Sequence, residues 1–86
     1  MLEVRKMDLK DVIVKRFADL CRARNMKINE LANISGVTPS TAYSMMDLSR
    51  RDVSIRTIKK FCDGLEITLV EFFSTPEFDA LEQEIK

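Results

Sequence analysis

The sequence predicts an all-α fold, five helices in one small domain with a short additional C-terminal helix. Three observations predict it. Apolar residues return every three or four positions through most of the chain, the spacing of helices with one buried face. Only two glycines and two prolines occur in 86 residues, which argues for a chain that is mostly helix. No stretch alternates apolar and polar residues as a half-buried strand does. At this length there is room for a single core.

The elements follow in order. Residues 1–7 show no clear period and form a lead-in. Asp8 is a good N-cap with Asp11 in the first turn, and Leu9, Ile13, Phe17, Leu20 and Cys21 mark a first helix reaching about Arg24. Arg22, Arg24 and Lys27 gather at its end, where positive charge complements the helix dipole. INELANIS gives a short second helix with Leu31, Ala32 and Ile34 as core positions; its entry is weakly capped, because Lys27 stands where Ser or Thr is favoured. Gly36 turns the chain, Thr38 caps a third helix and Pro39 occupies its first position, where a missing N–H costs nothing. On a helical wheel Thr38, Ala42 and Met45 fall on one side, with Ser40, Tyr43, Ser44 and Asp47 on the other. This helix runs to about Leu48. The charged connector SRRDV follows, and Ser54 caps a fourth helix with Ile55, Ile58, Phe61, Cys62 and Leu65 as its stripe. TLVE has capping-box spacing and opens a fifth helix bearing Leu69, Phe72 and Phe73. Thr75 and Pro76 start an acidic amphipathic helix over residues 75–86, whose Phe78, Leu81 and Ile85 either cap the domain's own core or join a partner.

Composition removes whole classes of function. There is no histidine, no phosphate-cradling glycine loop and no cysteine in an exposed electropositive setting, so neither catalysis, a metal nor a cofactor is expected. Cys21 and Cys62 sit in apolar stripes and read as small buried hydrophobes. No apolar run is long enough to span a bilayer and no signal-peptide pattern opens the chain, so a cytoplasmic location is expected. The zero net charge conceals an asymmetry: residues 1–60 carry 13 Lys/Arg against 7 Asp/Glu, residues 61–86 carry 1 against 7. A basic front with an acidic rear suits approach to a polyanion, or equally a solvated, salt-bridged surface.

The order helix, glycine-containing turn, helix in INELANISGVTPSTAYSMM is the helix-turn-helix format, whose second helix enters the DNA major groove N-terminus first. Here the chain strongly resembles the phage-repressor-type (Xre-like) helix-turn-helix family. The resemblance is carried by Glu30, Leu31 and Ala32, by Gly36, Val37 and Thr38, by Ser40 and Thr41, and by Thr57 to Lys60, Leu65 and the closing ITLVEFF. It covers roughly residues 9–75, and implies a compact five-helix domain over residues 8–74 that binds operator DNA as a homodimer.

Carried onto this chain, the resemblance makes Pro39, Ser40, Tyr43 and Ser44 the base-reading residues and Thr38 both a cap and a phosphate contact. Serine can bond several base edges, and Pro39 and the ring of Tyr43 can touch a thymine methyl. Arg50, Arg51 and Arg56, with Ser54 at the start of the fourth helix, are candidates to hold the phosphate backbone; Lys10, Lys15 and Arg16 are further ones. The chain departs from the family pattern in four places. Pro39 and Ser40 offer no bidentate group, Ile28 replaces a frequent polar phosphate anchor, Asp47 brings an acid to the DNA side, and the connector lacks the usual glycine and is about two residues longer. The expected function is a sequence-specific DNA-binding transcriptional regulator, a repressor, with double-stranded DNA and a second copy as partners and no small-molecule ligand. The alternative is a protein–protein interaction module of the same fold, an antagonist or dimerising adaptor, to which Asp47, Ile28 and the zero net charge point.

Overall fold

Residues 7–83 are described by a computed structural model, so the lead-in up to residue 6 and Ile85 lie outside the described residues. Within that range six helices follow one another: α1 (Leu9–Ala23), α2 (Ile28–Ile34), α3 (Pro39–Met46), α4 (Ile55–Leu65), α5 (Leu69–Phe73) and α6 (Pro76–Asp79).

The helix starts obey local chemistry. Asp8 accepts the amide of Asp11 while Asp11 accepts that of Asp8, a reciprocal cap that satisfies two otherwise orphaned donors. Thr38, Ser54 and Thr68 cap α3, α4 and α5 through their hydroxyls. At Lys27 no side chain caps α2; the Glu30 carboxylate instead accepts the Lys27 amide at 3.5 Å. Gly36 sits at φ 67°, the left-handed region that the turn between α2 and α3 requires. Gly64 does something else. It lies inside α4, and a Cβ there would stand 2.1 Å from Ser35 Oγ, so glycine is what lets the end of α2 lie directly on α4. The left-handed residue that ends α4 is Glu66, at φ 58°.

The core is aromatic and shared by α1, α4 and α5. Phe17 meets Phe61 edge to face with centroids 5.1 Å apart, and Phe72 at 4.5 Å. Ile13, Leu31, Ala42, Met45, Ile58 and Leu65 complete it. Both cysteines are free and buried, and burial raises both thiols above their ordinary range. Phe78 of α6 packs on Phe72 and Phe73, with Leu81 half-buried beyond it, so this part of the C-terminal segment closes the domain's own core.

Several positions correct the sequence reading. The amphipathic helix expected over residues 75–86 is a single turn, Pro76–Asp79, and residues 81–83 have left helical backbone. α3 ends at Met46, two residues early, because Asp47 turns to extended backbone. Leu9, Ile34 and Ile55, expected in the core, are exposed. Leu9 and Ile55 are the first residues of their helices, beyond the reach of the aromatic cluster. Ile34 sits roughly a third of a turn from the Leu31–Ala32 face of α2. Conversely Lys10, at 2% exposure, lies on the same stripe as Ile13 and Phe17 and is covered.

Candidate nucleic-acid interface

α3 is held from behind by Ala42 and Met45, which leaves its other face outward. Pro39 opens it, Ser40 is exposed, Tyr43 is 56% exposed and Ser44 is half-buried. Thr38 Oγ1 accepts the Thr41 amide at 3.3 Å and lies 2.8 Å from Thr41 Oγ1 and 3.3 Å from Ser40 Oγ, so the first turn is a cluster of small hydroxyls. Such a surface lets a helix start approach a polyanion closely while keeping both donors and acceptors.

Beside this face, α3, the connector and the start of α4 enclose an open groove of about 510 Å³. Thr41 and Ser44 form one wall, Ser54 and Thr57 the other, with Arg50 and Arg51 at the connector side. Ser54 Oγ accepts the Thr57 amide at 3.3 Å and so caps the start of α4, the positive end of its dipole, on this wall. Thr41 and Thr57 were absent from the sequence reading of the site. They are the third residues after caps Thr38 and Ser54, the one signal that could have placed them on the inner rim.

The basic residues separate into two sets. Arg56 is exposed and makes no ion pair among the described residues, while Arg50 is exposed with Nε 3.8 Å from Asp47 Oδ2. The others are engaged internally. Arg51 pairs with Asp8, stands 3.8 Å from Asp11 Oδ2 and donates to the Leu48 carbonyl. Lys10, a further phosphate candidate by sequence, donates from Nζ to the Ser44 carbonyl at 3.2 Å, and its burial lowers the ammonium pKa. It therefore acts on the carbonyl end of α3, where positive charge offsets the dipole. Arg16 donates to the carbonyls of Phe72 and Glu71 at 2.8 and 2.9 Å and lies over the Phe72 ring. Lys15 pairs with Asp19 at 2.7 Å. These three α1 cations have internal structural partners that the sequence reading did not anticipate. Arg24, read as serving its own helix, donates to the Leu65 carbonyl and closes the end of α4.

The two departures that counted against DNA have local explanations. Asp47 accepts the Ser49 amide at 2.9 Å and its hydroxyl at 2.7 Å, bonds that hold the carboxyl below its ordinary range and use its charge to form the turn after α3. Ile28 is half-buried and packed against the core.

A short helix whose outer face is presented next to an open groove lined by Arg50, Arg51 and Asp52, and which packs on the helix before it across a glycine turn, defines a helix-turn-helix DNA-binding protein. The chain belongs to the Cro/C1-type helix-turn-helix DNA-binding family, whose model matches residues 16–77. It is similar to YopS, an SPbeta prophage-derived uncharacterized HTH-type transcriptional regulator of Bacillus subtilis (strain 168), with 31% identity over 55 residues, 64% of this chain and 74% of that protein. Among solved structures it resembles prophage Lp1 protein 11, with a TM-score of 0.78 and 26% identity across 87% of this chain and 100% of the other. The family is one of DNA-binding transcriptional regulators rather than enzymes. No helix among the described residues is long and apolar enough to cross a membrane.

Proposed function

We propose that the chain is a sequence-reading operator-binding regulator that places α3 in the major groove and represses by occupancy. The observation that carries this is the outward face of α3, Thr38 to Ser44, set directly beside the groove that the connector and the start of α4 enclose. In this reading Pro39, Ser40, Tyr43 and Ser44 meet base edges. Thr38, Arg50, Arg56, Ser54 and the first amides of α4 hold phosphates on either side. Serines bond several bases and no bidentate Arg, Asn or Gln stands on this face, so part of the selectivity comes from DNA shape.

The reading includes a two-fold homodimer. One eight-residue helix spans few base pairs, and pairing two of them about one DNA turn, roughly 34 Å, apart multiplies selectivity and makes the operator palindromic. The experiment is selection of sites from a random duplex pool, followed by titration of the retained DNA from about 50 to 200 mM salt, where several phosphate contacts produce a steep loss of affinity. An enriched palindrome with a steep slope is expected. No enrichment and no retention at low salt would sink the reading in favour of the protein-interaction module.

A further inference from the structure

We propose that Arg51 is a positioning residue rather than a phosphate contact: with Asp8 it latches the connector to the start of α1 and so sets where Arg50 and the start of α4 stand. The inference rests on the DNA-binding reading above and gives a different role to Arg51, which the sequence offers as a phosphate contact.

The latch spans 43 positions of sequence. Asp8 divides its carboxylate, with Oδ1 accepting the Asp11 amide at 3.1 Å as helix cap and Oδ2 facing Arg51. The same guanidinium faces Asp11 and donates to the Leu48 carbonyl, so one planar fork binds two carboxylates and the backbone just after α3. Close by, the Lys10 ammonium holds the Ser44 carbonyl at 3.2 Å. The Asp8 and Asp11 carboxylates take up much of the Arg51 charge, so a phosphate approaching it meets far less than a free guanidinium. Arg56, exposed and without an ion pair among the described residues, offers a phosphate a full charge.

The connector has no helix or strand of its own. Its turn is closed internally, by the Arg50 amide on the Asp47 carbonyl at 3.0 Å and by the Ser49 amide on the Asp47 carboxylate. Those bonds shape the turn without fastening it to the domain. Lys10 holds the last turn of α3 before it, half-buried Val53 anchors its α4 end, and Arg51 fastens it between them.

The test compares Arg51→Ala, Asp8→Asn and Arg56→Ala in the full chain. Asparagine caps a helix about as well as aspartate, so Asp8→Asn removes the latch and leaves the start of α1 intact. Amide exchange of the free protein is measured for each, together with the salt dependence of binding to the selected duplex. Loss of protection at the Ser49 and Arg50 amides is expected in both Arg51→Ala and Asp8→Asn. Arg51→Ala weakens DNA binding about three- to fivefold, the size of a small surface ion-pair network, with the salt slope unchanged. Arg56→Ala lowers that slope by about 0.9. A slope in Arg51→Ala that falls as it does in Arg56→Ala would overturn the assignment. Unchanged exchange in Asp8→Asn would overturn it as well. If the unaltered chain binds no duplex, the regulator reading fails, and exchange in the free protein still decides whether the latch exists.

Discussion

Two regions of this molecule are held by different forces. On the side of α1, α4 and α5, Phe17, Phe61 and Phe72 lock the helices through apolar contact, with their side chains fully buried. On the side of α3 and the connector, where Ala42, Met45 and Val53 still reach the core, polar fastenings are added: Lys10 on the Ser44 carbonyl, Arg51 on Asp8, Asp47 on Ser49. The first kind contributes most of the stability, because apolar burial scales with area whereas exposed ion pairs contribute little. The second kind fixes the direction of α3 and the connector, which the proposed reading surface needs. The core and the proposed reading surface can therefore be damaged separately in this chain.

The largest effect tests the aromatic side. Phe17→Ala removes a fully buried ring from the centre of the cluster and should cost about 3–5 kcal/mol, enough to unfold much of a domain this small at 25 °C. Urea unfolding checks it, and a loss under about 1 kcal/mol would mean the cluster is not the support described. Next comes the α2–α4 contact. Gly64→Ala ordinarily helps a helix interior by about 0.5–1 kcal/mol, but here the new Cβ meets Ser35 Oγ, so a net loss of about 1–2 kcal/mol is expected. Ser35 Oγ is buried without a hydrogen-bond partner among the described residues, so Ser35→Ala alone should be neutral or slightly stabilising and should relieve part of the Gly64→Ala loss. Thermal melts of the two single variants and the double variant measure that coupling.

On the recognition side the expected signature reverses. Tyr43→Ala should leave unfolding within about 0.5 kcal/mol of the parent, since the ring is exposed. It should weaken binding to the selected site by about 1–2 kcal/mol, with little change on unrelated duplex. Equal losses on both duplexes would place Tyr43 outside base reading.

The smallest effect is in pH. The Asp8 carboxyl is held below its ordinary value of 3.8, first by the Asp11 amide and then by Arg51. A carboxyl whose folded pKa is depressed contributes stability above its unfolded value and loses it as pH falls through the folded one. Thermal stability should therefore decline below about pH 3.8, and Asp8→Asn should make that decline shallower; identical acid profiles would remove Asp8 from the polar set.

What the sequence made legible follows the same division. Asp8, Thr38, Ser54 and Thr68 were readable as caps because a cap and its partner amide lie three residues apart. The aromatic stripe was readable from its period. Lys10 was not, although it shares the Ile13 and Phe17 stripe, because what covers it arrives from 34 positions away. The Arg16 bonds to Glu71 and Phe72 and the Arg51 pairing with Asp8 are likewise tertiary, and a charge count cannot separate an arginine turned to its own domain from one left for a phosphate. Lys15 was a local miss: Asp19 lies four residues on and is visible in the sequence.

The most direct test of the central claim is an amide-shift map of the labelled protein titrated with its selected duplex. Shifts concentrated at residues 38–44 and 50–57 are expected, with Val70 to Phe78 little changed. Shifts centred on α5 and α6, with α3 unmoved, would contradict it.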